Sequence, residues 1–296
     1  MSLINKEARQ LGSLSVGPIG LGCWRLVAMP VDQAQAAIES ALDAGLSLID
    51  TADVYGLDWG GQSFGEAEQL LGDVLQQSPE LRSRMTLATK GGIVPGVPYD
   101  SSRLQTACEE SLQRLGVDHV DLYQIHRPDL LTHPQEVARI LEDLKSSGKI
   151  GEVGVSNFTP SQVDALQAHL PFPIASQQPE YSALHLDPLF NGTFDQCMAN
   201  GTGVLVWSPL AGGRLANAET LSSELGEVLV RLAERESTDL ATLALAFTLA
   251  HPANPIALFG STQPERIGAS VRAMEINLDR NDVYEIIQAS MGESLP

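Results

Sequence analysis

Apolar residues along this chain fall into short runs, each followed by a longer stretch in which they recur every three or four positions. The runs occupy 18–23, 46–50, 85–90, 120–126, 151–156, 173–178, 204–208 and 255–260. The intervening stretches are 31–44, 64–77, 102–115, 134–147, 160–169, 187–199, 239–250 and 264–273. In the first of them Ala34, Ala37, Ile38, Ala41 and Leu42 mark one helical face. Short apolar runs alternating with helical patterns predict parallel βαβ units. Eight such units in 296 residues favour a (β/α)8 barrel of the α/β class over an open doubly wound sheet. Residues 9–18 (RQLGSLSVGP) read as a hairpin over the closed end of that barrel, and 219–236 and 281–290 as extra helices. No linker, low-complexity stretch or charge block marks a domain boundary, so a single domain over residues 1–296 is expected.

Composition narrows the class. Hydrophobic residues make up 43% of the chain, which argues against disorder. Lys plus Arg is 18 against 37 Asp plus Glu, a net charge of −19. That balance disfavours nucleic acid and anionic membranes as partners, since both need a basic footprint. Cys23, Cys108 and Cys197 are odd in number and lack a CxxC spacing, so no disulfide framework is expected. The first residues, MSLINKEARQ, carry no apolar signal core, and a cytoplasmic location follows as an expectation. Sequon matches at Asn191 and Asn200 are then read as chance matches or turns. The histidines other than His126 follow no metal-ligand spacing, so no metal is expected.

Chemistry in a barrel collects where strands end. The second run ends in LIDTADVYG, the third in LATKGG and the fourth in LYQIHRPD, which brings Asp50, Tyr55, Lys90 and His126 toward one mouth. A phenol near pKa 10 is a weak acid at neutral pH. A neighbouring ammonium favours its phenolate, and a carboxylate holds that ammonium in place. Each of the four has an ordinary structural use alone; together at consecutive strand ends they suggest a general acid aimed at a carbonyl, with His126 orienting the oxygen.

These motifs, with GKIGEVGVSNF, SQQPEYS, VLVWSPLAGGRL and FGSTQPERI, resemble the aldo-keto reductases along nearly the whole chain. The combination of WRL, DTADVYG and the terminal MGESLP is most similar to a bacterial subgroup of oxidoreductases. The resemblance implies reduction of a small carbonyl substrate by NADPH. Tyr55 would protonate the carbonyl oxygen, Lys90 and Asp50 would tune it, and His126 would position the substrate. It also implies that Ser156, Asn157 and Gln178 bond the nicotinamide carboxamide, and that Trp207 stacks on its ring where many relatives have Tyr. Ser208, Leu210 and Gly212 match the pyrophosphate loop, and Gly260, Ser261, Thr262 and Arg266 the 2′-phosphate segment. Gly260, Ala269 and Ser270 depart from the Lys, acidic residue and Asn common there, so a preference for NADPH over NADH falls mainly to Arg266.

Other residues are weighed alongside. The GLG of residues 20–22 lacks the third glycine of a dinucleotide fingerprint, and its glycines are expected to let the first loop, with Gly22 and Trp24, approach the cofactor. Trp24 and Trp59, with Tyr55 and His126, are candidates to line the substrate pocket. Arg127 has two candidate uses, contact with an anionic substrate and a salt bridge with Asp129 or another carboxylate, of which the salt bridge is expected. Two alternatives remain open: an NADPH-binding regulatory or sensing subunit with slow turnover, and a Schiff-base aldolase using Lys90.

Overall fold

All eight apolar runs become strands, and hydrogen bonding closes them into a ring. The computed structural model describes residues 2–57, 60–94, 96 and 99–295. A two-stranded antiparallel hairpin of β1 (Arg9–Leu11) and β2 (Leu14–Val16) precedes the ring. The ring strands are β3 (Ile19–Gly22), β4 (Leu48–Asp50), β5 (Thr86–Gly91), β6 (Val120–Ile125), β7 (Ile150–Ser156), β8 (Ser176–Gln178), β9 (Gly203–Val206) and β10 (Ile256–Phe259). All neighbours are parallel, and β10 pairs with both β9 and β3, so the barrel is the (β/α)8 type expected.

The helices are α1 (Val31–Asp43), α2 (Glu66–Gln77), α3 (Leu104–Leu115), α4 (Pro134–Ser146), α5 (Pro160–Gln167), α6 (Thr193–Asn200), α7 (Ser223–Arg235), α8 (Leu240–Leu249), α9 (Pro264–Ala269) and α10 (Arg280–Met291). Each amphipathic helix turns its apolar face to the sheet: α4 buries Val137, Ala138, Leu141 and Leu144. Burying one such leucine side chain contributes about 1.5–3 kcal/mol. Two expected helices come out broken. Residues 187–199 split into the short helix Asp187–Leu189, which ends at Phe190, and α6, whose N-cap Gly192 takes a φ of 84°. Residues 264–273 form α9 and then a 3-10 segment, Ser270–Glu275.

Side chains alternate in and out along each strand. Ile49, Leu87, Tyr123, Val153 and Ala257 pack in the large cluster that includes the buried helix residues. Leu48, Ala88, Leu122, Leu205 and Ile256 form a second cluster with Leu11 and Val16 of the hairpin. That cluster plugs one end of the barrel interior, as residues 9–18 predicted. Two positions further along the same strands, the inward residues are Asp50, Lys90 and Gln124. Gly20 meets a packing need rather than a ligand: a Cβ there would stand 3.0 Å from the Leu48 carbonyl oxygen.

Candidate active site

The C-terminal strand ends surround a cleft of about 380 Å³ lined by both polar and apolar groups. Asp50 ends β4, and the chain then stays against β5: Thr51 N–H donates to the Ala88 carbonyl (2.9 Å) and Asp53 N–H to that of Lys90 (3.0 Å). This docking carries Tyr55 over Lys90, whose ammonium stands 4.8 Å from the Tyr55 ring centre. Lys90 is wholly buried, and its Nζ donates to Asp50 Oδ2 (2.6 Å), the Thr51 carbonyl (2.7 Å) and Tyr55 Oη (3.2 Å). All three ammonium hydrogens are thereby committed. Asp50 Oδ1 accepts from Gln124 Nε2 and Gln178 Nε2, each at 3.1 Å. Gln124 is a member of this network that the strand-end reading passed over. Its signal was available: it sits beside Lys90 in register, in phase with the inward positions of β6.

Electrostatics follow from this burial. Burial alone would lower the Lys90 pKa, but Asp50 and then Tyr55 outweigh it and hold the ammonium above its usual value. Burial raises the Tyr55 phenol, and the charge and hydrogen bond of Lys90 offset only part of that rise. The tuning expected from sequence therefore operates against desolvation, and the phenol stays protonated at neutral pH. His126 meets Tyr55 edge-on, with ring centres 5.8 Å apart. Burial, then the charges of Lys90 and Arg127, hold His126 well below the usual histidine range, so the ring is neutral. Its Nδ1 is buried without a partner. Cys23, near this network, is fully buried and its thiol is pushed up to about 12, so it is inert.

Across the cleft, Trp207 Nε1 donates to Asn157 Oδ1 (2.9 Å), and Asn157 Nδ2 donates to the His126 carbonyl and to Ser156 Oγ. Asn157 and Ser208 occupy the left-handed region, with φ of 61° and 55°. Arg25 reaches over to donate to the Gly212 carbonyl at 2.9 Å. Behind the Tyr55 segment, Glu68 is fully buried, accepting from Thr89 Oγ1 and from Arg114 Nε. Asp53 is buried beside it with Oδ1 unpartnered. Burial, then the Glu68 charge, keep its carboxyl well above the usual range.

The cleft gathers Gly22, Trp24, Asp50, Tyr55, His126, Ser156, Asn157, Gln178, Trp207, Ser208, Leu210, Gly212 and Gly260 of the sequence-derived candidates. Lys90 lies beneath its floor. Ser261, Thr262 and Arg266 stand outside that lining: Ser261 Oγ accepts from Gln263 N–H, and Arg266 is exposed on α9. Ser270 donates its hydroxyl to the Ile267 carbonyl. Trp59 lies outside the described residues. The pairing expected of Arg127 with Asp129 is not found. Asp129 accepts instead from Ser101 N–H, Leu131 N–H and Thr132 Oγ1, while Arg127 stands 5.9 Å from the Trp207 ring centre. No group of three or more potential metal ligands occurs among the described residues, and no described helix is long and apolar enough to cross a membrane.

The comparisons with known proteins agree with this fold. A 6-dehydroglucose reductase of Novosphingobium aromaticivorans is 46% identical over 97% of both chains. The Escherichia coli oxidoreductase YdhF is 35% identical over 93% of this chain and 94% of its own. In fold, a thermostable aldo-keto reductase crystallised with the inhibitor epalrestat superposes with a TM-score of 0.81 at 24% identity, covering 95% of this chain and 99% of its own. The Aldo/keto reductase family model matches residues 18–290, and the chain, an oxidoreductase, belongs to that family.

Proposed function

We propose that this chain reduces aldehydes or ketones to alcohols with NADPH, Tyr55 giving its proton to the carbonyl oxygen. The observation that carries this reading is the three-way clamp on Lys90, which holds a buried ammonium 3.2 Å from Tyr55 Oη at the edge of the cleft. The lining fits a nicotinamide cofactor. Gln178 spends Nε2 on Asp50 and Gln124, leaving Oε1 to accept from a carboxamide. Gly212 adopts a φ of 71° with nothing within 4 Å of the place a Cβ would take, as a loop approaching phosphates requires. When bound, the cofactor supplies the hydride. Tyr55 supplies the proton, Lys90 stabilises the phenolate left behind, and Asp50 fixes Lys90. Neutral His126 can donate from Nε2 and so orient the carbonyl oxygen.

The Lys90 clamp also weighs against a Schiff-base aldolase, because amine attack on a carbonyl needs a neutral, accessible nitrogen. A sensing subunit would bind NADPH but turn it over slowly. Because relatives at 46% and 32% identity carry the name 6-dehydroglucose reductase, a 6-aldehyde of a hexose is the first substrate to try. The test is Tyr55→Phe. Turnover is expected to fall by about 10² or more, the contribution of a positioned general acid, with NADPH affinity retained. Turnover within about threefold of wild type would remove Tyr55 from the chemistry.

A further inference from the structure

Arg127 follows His126 at the end of β6 and lines the same cleft, half-buried, with its guanidinium over the Trp207 ring. Among the described residues it makes neither an ion pair nor a hydrogen bond. That is unexpected in a chain with 37 carboxylates and 18 Lys plus Arg. The two nearby candidates are otherwise engaged. Asp129 is used up by the turn that follows β6. Glu180 feels the Arg127 charge but stands within 3.8 Å of His185 instead. A guanidinium held over a ring by cation–π attraction keeps its N–H donors for other partners. The cleft it lines also carries the apolar side chains of Val54, Ile93, Leu258 and Phe259.

We propose that Arg127 is a specificity residue that reads an oxygen acceptor on the carbonyl substrate, beyond the reacting carbon. The preferred substrates are then oxygenated aldehydes rather than plain alkyl ones. This rests on the cleft being the carbonyl site proposed above. A carboxylate and a hydroxyl are the two sources of such an oxygen, and matched pairs separate them: succinic semialdehyde against butanal, and glyceraldehyde against propanal.

Two measurements are made on each pair, with wild type, Arg127→Met and Arg127→Gln. One is kcat/KM with NADPH. The other is calorimetric affinity for the NADP+-loaded protein, which cannot reduce the aldehyde. In wild type the oxygenated member of at least one pair should be favoured about tenfold or more, the worth of one charge-assisted hydrogen bond. In both variants that ratio should fall below about threefold, while the plain aldehydes and NADPH affinity stay within about threefold of wild type. The pair showing the preference identifies the oxygen. No preference in either pair, a preference that survives in the variants, or an equal loss for plain aldehydes or NADPH would overturn the assignment. If the binding ratios behave as stated but no aldehyde is reduced, Arg127 keeps its role and the reductase reading fails.

Discussion

Leu48 and Asp50, Ala88 and Lys90, Leu122 and Gln124 are pairs two residues apart on single strands, yet they build opposite ends of one barrel interior. At the closed end the inward side chains are aliphatic and meet the hairpin residues Leu11 and Val16. One step along, the inward groups are a carboxylate, an ammonium and an amide, all buried, with Asp50 accepting from both Lys90 and Gln124. Apolar burial at the first layer stabilises without direction. Polar burial at the second is tolerated only while each charge keeps its partners, since an unpaired buried charge costs several kcal/mol. The same strands thus devote one layer to stability and the next to a fixed charge arrangement.

Lys90→Met should separate the layers most sharply. Turnover is expected to fall by roughly 10²–10⁴, and the pH–rate profile should shift up as the phenolate loses its neighbouring charge. Asp50, left buried without its cation, should cost about 3–5 kcal/mol in urea unfolding. Unchanged stability and profile would mean the clamp has no part in either. Leu48→Ala probes the other layer: unfolding free energy should drop by about 2–5 kcal/mol while kcat/KM stays within about twofold. Loss of turnover at full folding would show that the two layers are not independent.

A smaller effect is expected at the rim. Arg266 stands apart from the cleft lining, so it should matter only to a cofactor group that reaches α9. Arg266→Ala should weaken NADPH about ten- to a hundredfold and leave NADH unchanged, as read by fluorescence titration of both. Equal losses for the two cofactors would assign Arg266 a structural role.

The smallest effect concerns Asp53, the acid buried behind Tyr55. Its folded pKa is raised well above the unfolded value near 3.9, so the native state holds a proton that the unfolded chain releases. Stability from this group is full below the unfolded pKa and declines as pH rises toward the folded one. Asp53→Asn, a neutral mimic of the protonated acid, should be more stable than wild type at neutral pH, with the difference vanishing toward about pH 3. Urea midpoints against pH provide the check, and a variant less stable than wild type at pH 7 would mean that Asp53 is ionised in the native protein.

Much of this was readable along the chain, because a strand's two-residue alternation and a helix's apolar stripe are local patterns. They placed eight strands, their order, and Asp50, Tyr55, Lys90 and His126 at one mouth. The alternation would also have shown Gln124, inward and level with Lys90, had it been followed along β6 rather than only at its end. Charge partners were another matter. Asp129 sits two residues from Arg127 yet turns to backbone amides, while Trp207, eighty residues away in sequence, supplies the contact. Desolvation likewise belongs to the folded state. Lys90 alone implies a lowered phenol pKa, but enclosure by the barrel raises it, and the sum of the two depends on packing from every side. Local periodicity determined the architecture; which buried charges meet, and which ring Arg127 lies over, was decided only when the ring of strands closed.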